Sequence, residues 1–249
     1  MKFGASIFIY PDRNAERLEK KLERFKGKAV EISFHKLEDF KATPHDKVRR
    51  IIKDYDINII SAHLPNIDVF NEEFINVIAQ IKQNYEVKIF TLNPRNESYY
   101  FALEALKNKA QAIRNLGIVL CYENFEKKRR RWINTPEQIF NLNFDFISMT
   151  YDISHTRDVD IIEEFNKYRE KIKVVHLSNK YYNRLNKNQG PKKHLPIAMG
   201  DLPIEKFLEN LKEKNYSGLV ILEYLEQFID ELVNDLDRLS SQNDKFHAS

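Results

Sequence analysis

Two patterns of apolar spacing alternate along the chain. Eight short runs rich in Ile, Val, Phe and Tyr read as strands: KFGASIF from Lys2, AVEISF from Ala29, INIISAH from Ile57, VKIFTLN from Val87, IVLCYEN from Ile118, FISMTYD from Phe146, VVHLSN from Val174 and LVILEY from Leu219. Between them lie longer stretches with apolar residues at three-and-four spacing, which gives a helix one buried face. These are AERLEKKLERF, EEFINVIAQIKQ, YFALEALKNKAQAIRNLG and IEKFLENLKEK. A last periodic segment, EQFIDELVNDLDRLSS, predicts a terminal helix. Eight strands, each followed by a helix or by a loop and helix, predict an α/β chain forming a single (β/α)8 TIM barrel over residues 1–249. A doubly wound open sheet fits less well, because YPDRN stands where that fold would place a glycine-rich phosphate turn. No linker, internal repeat or low-complexity tract interrupts the series.

The length, 249 residues, suits one barrel core. Lys plus Arg number 40 against 37 Asp plus Glu, a net charge of only +3, which argues against a nucleic-acid binder built on bulk charge and leaves room for a local basic patch. With one cysteine, Cys121, no internal disulfide can form, and a reducing, cytoplasmic setting is expected. The N-terminal segment MKFGASIFIYPDRN turns charged too early to span a membrane and reads as the first strand, so no membrane partner is expected. The sequence leaves oligomeric state open.

Polar residues of ligand type end several of the apolar runs. His63 ends the third strand, Glu123 the fifth, Asp152 the sixth, with His155 three residues on; His176 lies on the seventh and Glu223 ends the eighth. In this barrel the carboxyl ends of the strands converge on one face. Strands five to eight are neighbours, so Glu123, Asp152, His176 and Glu223 can point at one centre. Three carboxylates and one imidazole make a hard, oxygen-rich site suited to Mn²⁺, Mg²⁺ or Co²⁺, with Zn²⁺ also compatible. Any one of these residues could instead bond a neighbouring loop; four in succession at matching places argue for a shared divalent cation. His35 and His45, in polar surroundings, read as surface residues.

The segments SAHLP, YENF, YDISHT, VVHLSN and HLPIAMGDLPIEKFLENLKEKNYSGLVILEY resemble the xylose isomerase-like barrel superfamily, which includes sugar isomerases and epimerases and the family 2 AP endonucleases. Nearly the whole chain takes part, most tellingly from His194 to Glu223. The resemblance to the epimerases implies that Glu123, Asp152, His176 and Glu223 hold one divalent ion. It also implies that Glu123 and Glu223 act as acid and base on opposite faces of a sugar carbon through an enediolate. His155 would then hydrogen-bond a substrate hydroxyl, with His63 lining the pocket, and the partner would be a small sugar or sugar phosphate.

The nuclease branch implies a three-metal cluster held by His63, Glu123, Asp152, His155, His176, His194 and Glu223. Two departures count against it. Asn93 stands where that branch has a histidine, and Lys192 where it has an aspartate. The basic run Lys127–Arg131, with Lys180, Arg184, Lys192 and Lys193, is either a solvated loop, an anchor for an anionic sugar, or a groove for a nucleic-acid backbone. Tyr122, Phe125, Tyr151, Tyr181 and Tyr182 are candidates to stack on a sugar or base at the mouth. A metal-dependent sugar isomerase or epimerase is the favoured reading, ahead of an abasic-DNA endonuclease and of a non-catalytic binding barrel.

Overall fold

The computed structural model describes residues 1–11, 15–93, 99–125, 135–156, 159–181 and 192–247. Seven strands, β1 (Lys2–Phe8), β2 (Ala29–Ser33), β3 (Asn58–His63), β4 (Ile89–Leu92), β5 (Val119–Glu123), β6 (Ile147–Asp152) and β7 (Ile172–Leu177), are joined by a later one, β10 (Leu219–Leu222). They close in sequence order into a barrel whose neighbours all pair in parallel, β10 sealing it between β7 and β1. Each forms within two residues of the run that predicts it. Between β7 and β10 the chain adds a small antiparallel pair, β8 (Asn179–Tyr181) and β9 (Lys192–Leu195), which the apolar pattern does not announce.

The crossovers are α1 (Ala15–Glu23), α2 (Leu37–Ala42), α3 (His45–Asp54), α4 (Phe74–Tyr85), α5 (Tyr99–Leu116), α6 (Pro136–Phe140), α7 (Ile161–Tyr168) and α8 (Ile204–Glu213), with α9 (Ile229–His247) last. Local chemistry sets their ends. Asp160 caps α7 by accepting from the amides of Ile162 and Glu163 at 2.8 and 3.1 Å. Thr135 and Gln138 form a reciprocal capping box on α6. Gly117, at φ +60°, adopts the left-handed turn that ends α5.

Alternation along each strand divides the barrel into two environments. Leu120, Tyr122, Met149, Tyr151, Val175, Leu177, Val220 and Leu222 belong to the large core that includes helix residues such as Ile113, Phe165, Phe207 and Leu211. The intervening positions fill the lumen, where Cys121, Val174, Leu219 and Ile221 form a separate apolar plug with Ile60, Ile89 and Val119. Two residues further along their strands, on the same inward face, stand Glu123, His176 and Glu223. The apolar plug is therefore the floor beneath a polar centre.

Candidate metal and substrate site

Glu123 ends β5, Asp152 ends β6, His176 lies on β7 one residue from its end, and Glu223 follows β10. Strand register brings them together: Asp152 pairs with His176, and His176 with Ile221, two residues before Glu223. One ligand atom from each of the four lies within 4.8 Å of all the others, and all four residues are buried. His176 Nδ1 is 2.8 Å from Glu123 Oε1 and 3.0 Å from Glu223 Oε2.

Asn124 sets the entrance geometry. Its side-chain oxygen accepts from the Asp152 amide at 2.6 Å, and its Nδ2 donates to the Asp152 carbonyl at 3.0 Å. This clamps the carboxyl ends of β5 and β6 side by side. The Ser154 amide donates to Asp152 Oδ1 at 2.7 Å, which fixes that carboxylate. Its other oxygen, Oδ2, is buried and has no hydrogen-bond partner among the described residues, as is true of Glu223 Oε2. Imidazole nitrogens approach both oxygens, His155 Nδ1 at 3.3 Å and His176 Nδ1 at 3.0 Å, without forming a hydrogen bond to either. Buried carboxylate oxygens so placed are better met by a cation, so the donor set fits a divalent ion.

Charge in the cluster follows from this crowding. Burial works to raise the Glu123 carboxyl, but its hydrogen bond with His176 and its contact with His63, then the charges of His176 and His155, hold it well below the usual carboxylate range. Glu223 behaves alike: burial opposes ionisation, yet the charges of His176 and His194 bring it down to about 2. His63 is pulled down by burial and pushed up more strongly by Glu123, then by Glu31 and Glu223, reaching about 9. His176 is likewise held well above its ordinary value, the charges of Glu223 and Glu31 and its contact with Glu123 outweighing burial. Ionised carboxylates are thus balanced by imidazolium protons, positive charge that a cation can replace.

The remaining candidates surround this centre. His63 is buried, its Nδ1 3.0 Å from the Leu64 carbonyl and its Nε2 3.6 Å from Glu123 Oε2. His155 is buried, with Nδ1 3.1 Å from the Asn124 carbonyl and 3.3 Å from Asp152 Oδ2, and the Phe125 ring packs over it at 4.3 Å. His194, on β9, brings Nδ1 to 3.6 Å from Glu223 Oε2. Asp152, His155 and His194 make a second, more open trio of ligand type. Lys180 is fully buried, its ammonium turned onto the Thr156 carbonyl. Arg184, Tyr182 and the run Lys127–Arg131 lie outside the described residues.

Three expectations need correction or addition. Tyr122 and Tyr151 are buried on the outward face, not at the mouth; the Tyr151 hydroxyl donates to Glu164 at 3.0 Å. His45 is not a surface residue: it opens α3 half-buried between Phe40 and Tyr85, 2.7 Å from the Tyr85 hydroxyl. Glu31, which no run-ending rule singles out, lies mid-strand on β2 with its side chain in the lumen, Oε1 3.1 Å from His176 Nε2. The glutamate inside AVEIS marks a polar position there without telling which face of the strand it takes.

The model of a family described as xylose isomerase-like TIM barrel matches residues 90–239, more than half of the chain. The chain belongs to that family. A protein of Methanocaldococcus jannaschii described as uncharacterized is 24% identical over 263 residues, covering 96% of this chain and 98% of its own. Among solved structures, a D-tagatose 3-epimerase-like protein matches with a TM-score of 0.70 at 20% identity, covering 98% of this chain and 99% of that one. D-allulose 3-epimerase from Methylomonas matches at 0.72 and 13%, covering 97% of each chain. A family 2 AP endonuclease from Brucella melitensis matches at 0.64 and 14%, covering 90% of this chain and 93% of that one. At these identities the likenesses establish the shared fold.

Proposed function

We propose that the protein is a divalent-metal-dependent isomerase or epimerase of a sugar or sugar phosphate. Both epimerases and a nuclease share this backbone, so the argument rests on side chains. The observation that carries it is the placement of two carboxylates, Glu123 and Glu223, on one imidazole nitrogen at 2.8 and 3.0 Å, with Asp152 completing a four-residue set. Glu123, Asp152, His176 and Glu223 would hold the cation. When bound, it supplies Lewis acidity to substrate oxygens beside the reacting carbon.

The chain's own groups carry the proton. Glu123 and Glu223 approach from different staves of the barrel, β5 and the end of β10. One takes the proton from the carbon next to a carbonyl, and the other returns a proton to the opposite face of the resulting enediolate. His63 and His155 hydrogen-bond substrate hydroxyls, Phe125 covers one face of the sugar, and His194 closes the pocket from β9. Arg184 is assigned to anionic groups of the substrate, whereas Lys180, buried with its ammonium on the Thr156 carbonyl, braces the turn after β6 and is not available to them. Asn93 has a side-chain oxygen without a hydrogen-bond partner among the described residues, and Lys192 is exposed. Neither residue type adds a strong cation ligand, which favours the single-ion reading over a three-metal nuclease.

The test measures bound metal by elemental analysis and screens ketoses and their phosphates for deuterium uptake from heavy water. About one metal per chain with uptake at a carbon beside the carbonyl is expected. About three metals per chain, with cleavage of an abasic duplex and no uptake, would sink the proposal.

A further inference from the structure

The inward face of β2 carries a carboxylate outside the four-residue set. Glu31 is fully buried in the lumen. Its Oε2 accepts a hydrogen bond from Ser61 Oγ at 2.9 Å and a longer one from Thr91 Oγ1 at 3.4 Å. Thr91 is itself tied to Thr150 at 2.9 Å, so hydroxyls from β3, β4 and β6 brace this side chain. The other oxygen, Oε1, stands 3.1 Å from His176 Nε2. The two form a close ion-pair contact, and neither atom has a hydrogen-bond partner among the described residues.

Stability alone gives a poor account of Glu31. Burying a carboxylate costs on the order of several kcal/mol, and two hydroxyls satisfy only one of its oxygens. An apolar residue at this height would extend the floor formed by Cys121, Val174 and Ile221. Resting on the four-ligand reading above, we propose that Glu31 is a positioning residue that holds His176 as the Nε2–H tautomer and so aims a bare Nδ1 at the cation.

The chemistry is that of a neutral imidazole, which carries one N–H. A nitrogen that binds a cation cannot also keep a proton. Once a cation stands among Nδ1, Glu123 and Glu223, the one proton of the neutral ring must sit on Nε2, where Glu31 Oε1 is the acceptor within reach. A carboxylate behind a ligating histidine fixes the ring's orientation and strengthens it as a donor. The ring on β7 thus takes its direction from a strand across the lumen.

The test is cobalt(II) titration of metal-freed wild type, Glu31→Gln, Glu31→Ala, His176→Ala and the Glu31→Gln/His176→Ala double variant, followed by calorimetry and by the cobalt d–d absorption. Glu31→Gln keeps the shape and an acceptor oxygen but loses the charge; it should bind cobalt about 10-fold more weakly. Glu31→Ala should bind up to about 100-fold more weakly, with a shifted absorption band. In the His176→Ala background, Glu31→Gln should cost nothing further, because its effect runs through the ring. Single variants that match wild type within about twofold, with unchanged spectra, overturn the role of Glu31 while leaving the four-ligand site intact. An equal loss in the His176→Ala background overturns it too, by showing that Glu31 acts elsewhere. Wild type that takes up no cobalt removes both readings.

Discussion

At the scale of single residues, opposed requirements meet in a few side chains of the centre. In the proposed reaction Glu123 must be ionised to hold a cation and also sit close enough to substrate to move a proton. Burial opposes its charge, and His176 and His63 restore it. Glu223 repeats the arrangement from the neighbouring side, with His176 and His194 as its counter-charges. Glu123→Gln and Glu223→Gln each keep volume while removing the proton carrier. Measured with saturating Mn²⁺, each should lower the rate of deuterium exchange by about 10²–10⁴-fold. A variant that exchanges within a few-fold of wild type would take that carboxylate out of proton transfer. Such residues were legible in the sequence because each stands at or near the point where an apolar run stops. Glu31 was not. In AVEIS it reads as one polar position in an alternating strand, and alternation does not tell a lumen-facing position from one facing solvent.

At the scale of elements, the strands were legible and the additions between them less so. The eight runs are buried on both faces, so their apolar character is nearly continuous and their order dictates the barrel. The short helices α2 and α6 offer too few residues for a 3.6-residue period to show, and β8 and β9 are three and four residues in a polar stretch. That small pair matters because β9 carries His194. Asn179, buried at the start of β8, pins it: Nδ2 donates to the Ile197 carbonyl at 2.7 Å, and Oδ1 accepts from the Lys180 and Leu202 amides at 2.8 and 2.9 Å. Asn179→Ala strands three backbone groups at once. It should cost about 2–4 kcal/mol, taking about 1–3 kcal/mol as the penalty for one unmet buried group with water repairing part of the rest. The fall in Tm should appear in thermal unfolding, with a rise in KM because His194 loses its fixed seat. An unchanged Tm would mean that this pair is held mainly by its own ladder and not by Asn179.

At the scale of the whole molecule, a polar centre on an apolar floor makes stability depend on pH and on the cation together. In metal-free protein, His63 holds its proton up to about 9, against an ordinary value of 6.5. A histidine raised in the folded state stabilises fully below 6.5 and loses that contribution as pH climbs through 9. His176 is shifted in the same direction and deepens the decline. Glu123 and Glu223 are shifted downward, so their contribution is present above the ordinary carboxylate value and is lost in acid, Glu223 on approaching about 2. The metal-free barrel should therefore be most stable from mildly acidic pH up to about 6.5, and should lose up to about 3 kcal/mol between there and pH 9 from His63 alone. A bound dication would take over the counter-charge that the imidazolium protons supply, so Mn²⁺ should flatten the alkaline limb and leave the acid limb in place. Thermal unfolding of chelator-treated protein from pH 4 to 9.5, with and without Mn²⁺, reads both effects. A Tm that stays level between pH 6.5 and 9 without metal would show that the imidazoles are not the counter-ions of the buried carboxylates. A decline that Mn²⁺ leaves unaltered would show that the cation does not replace them.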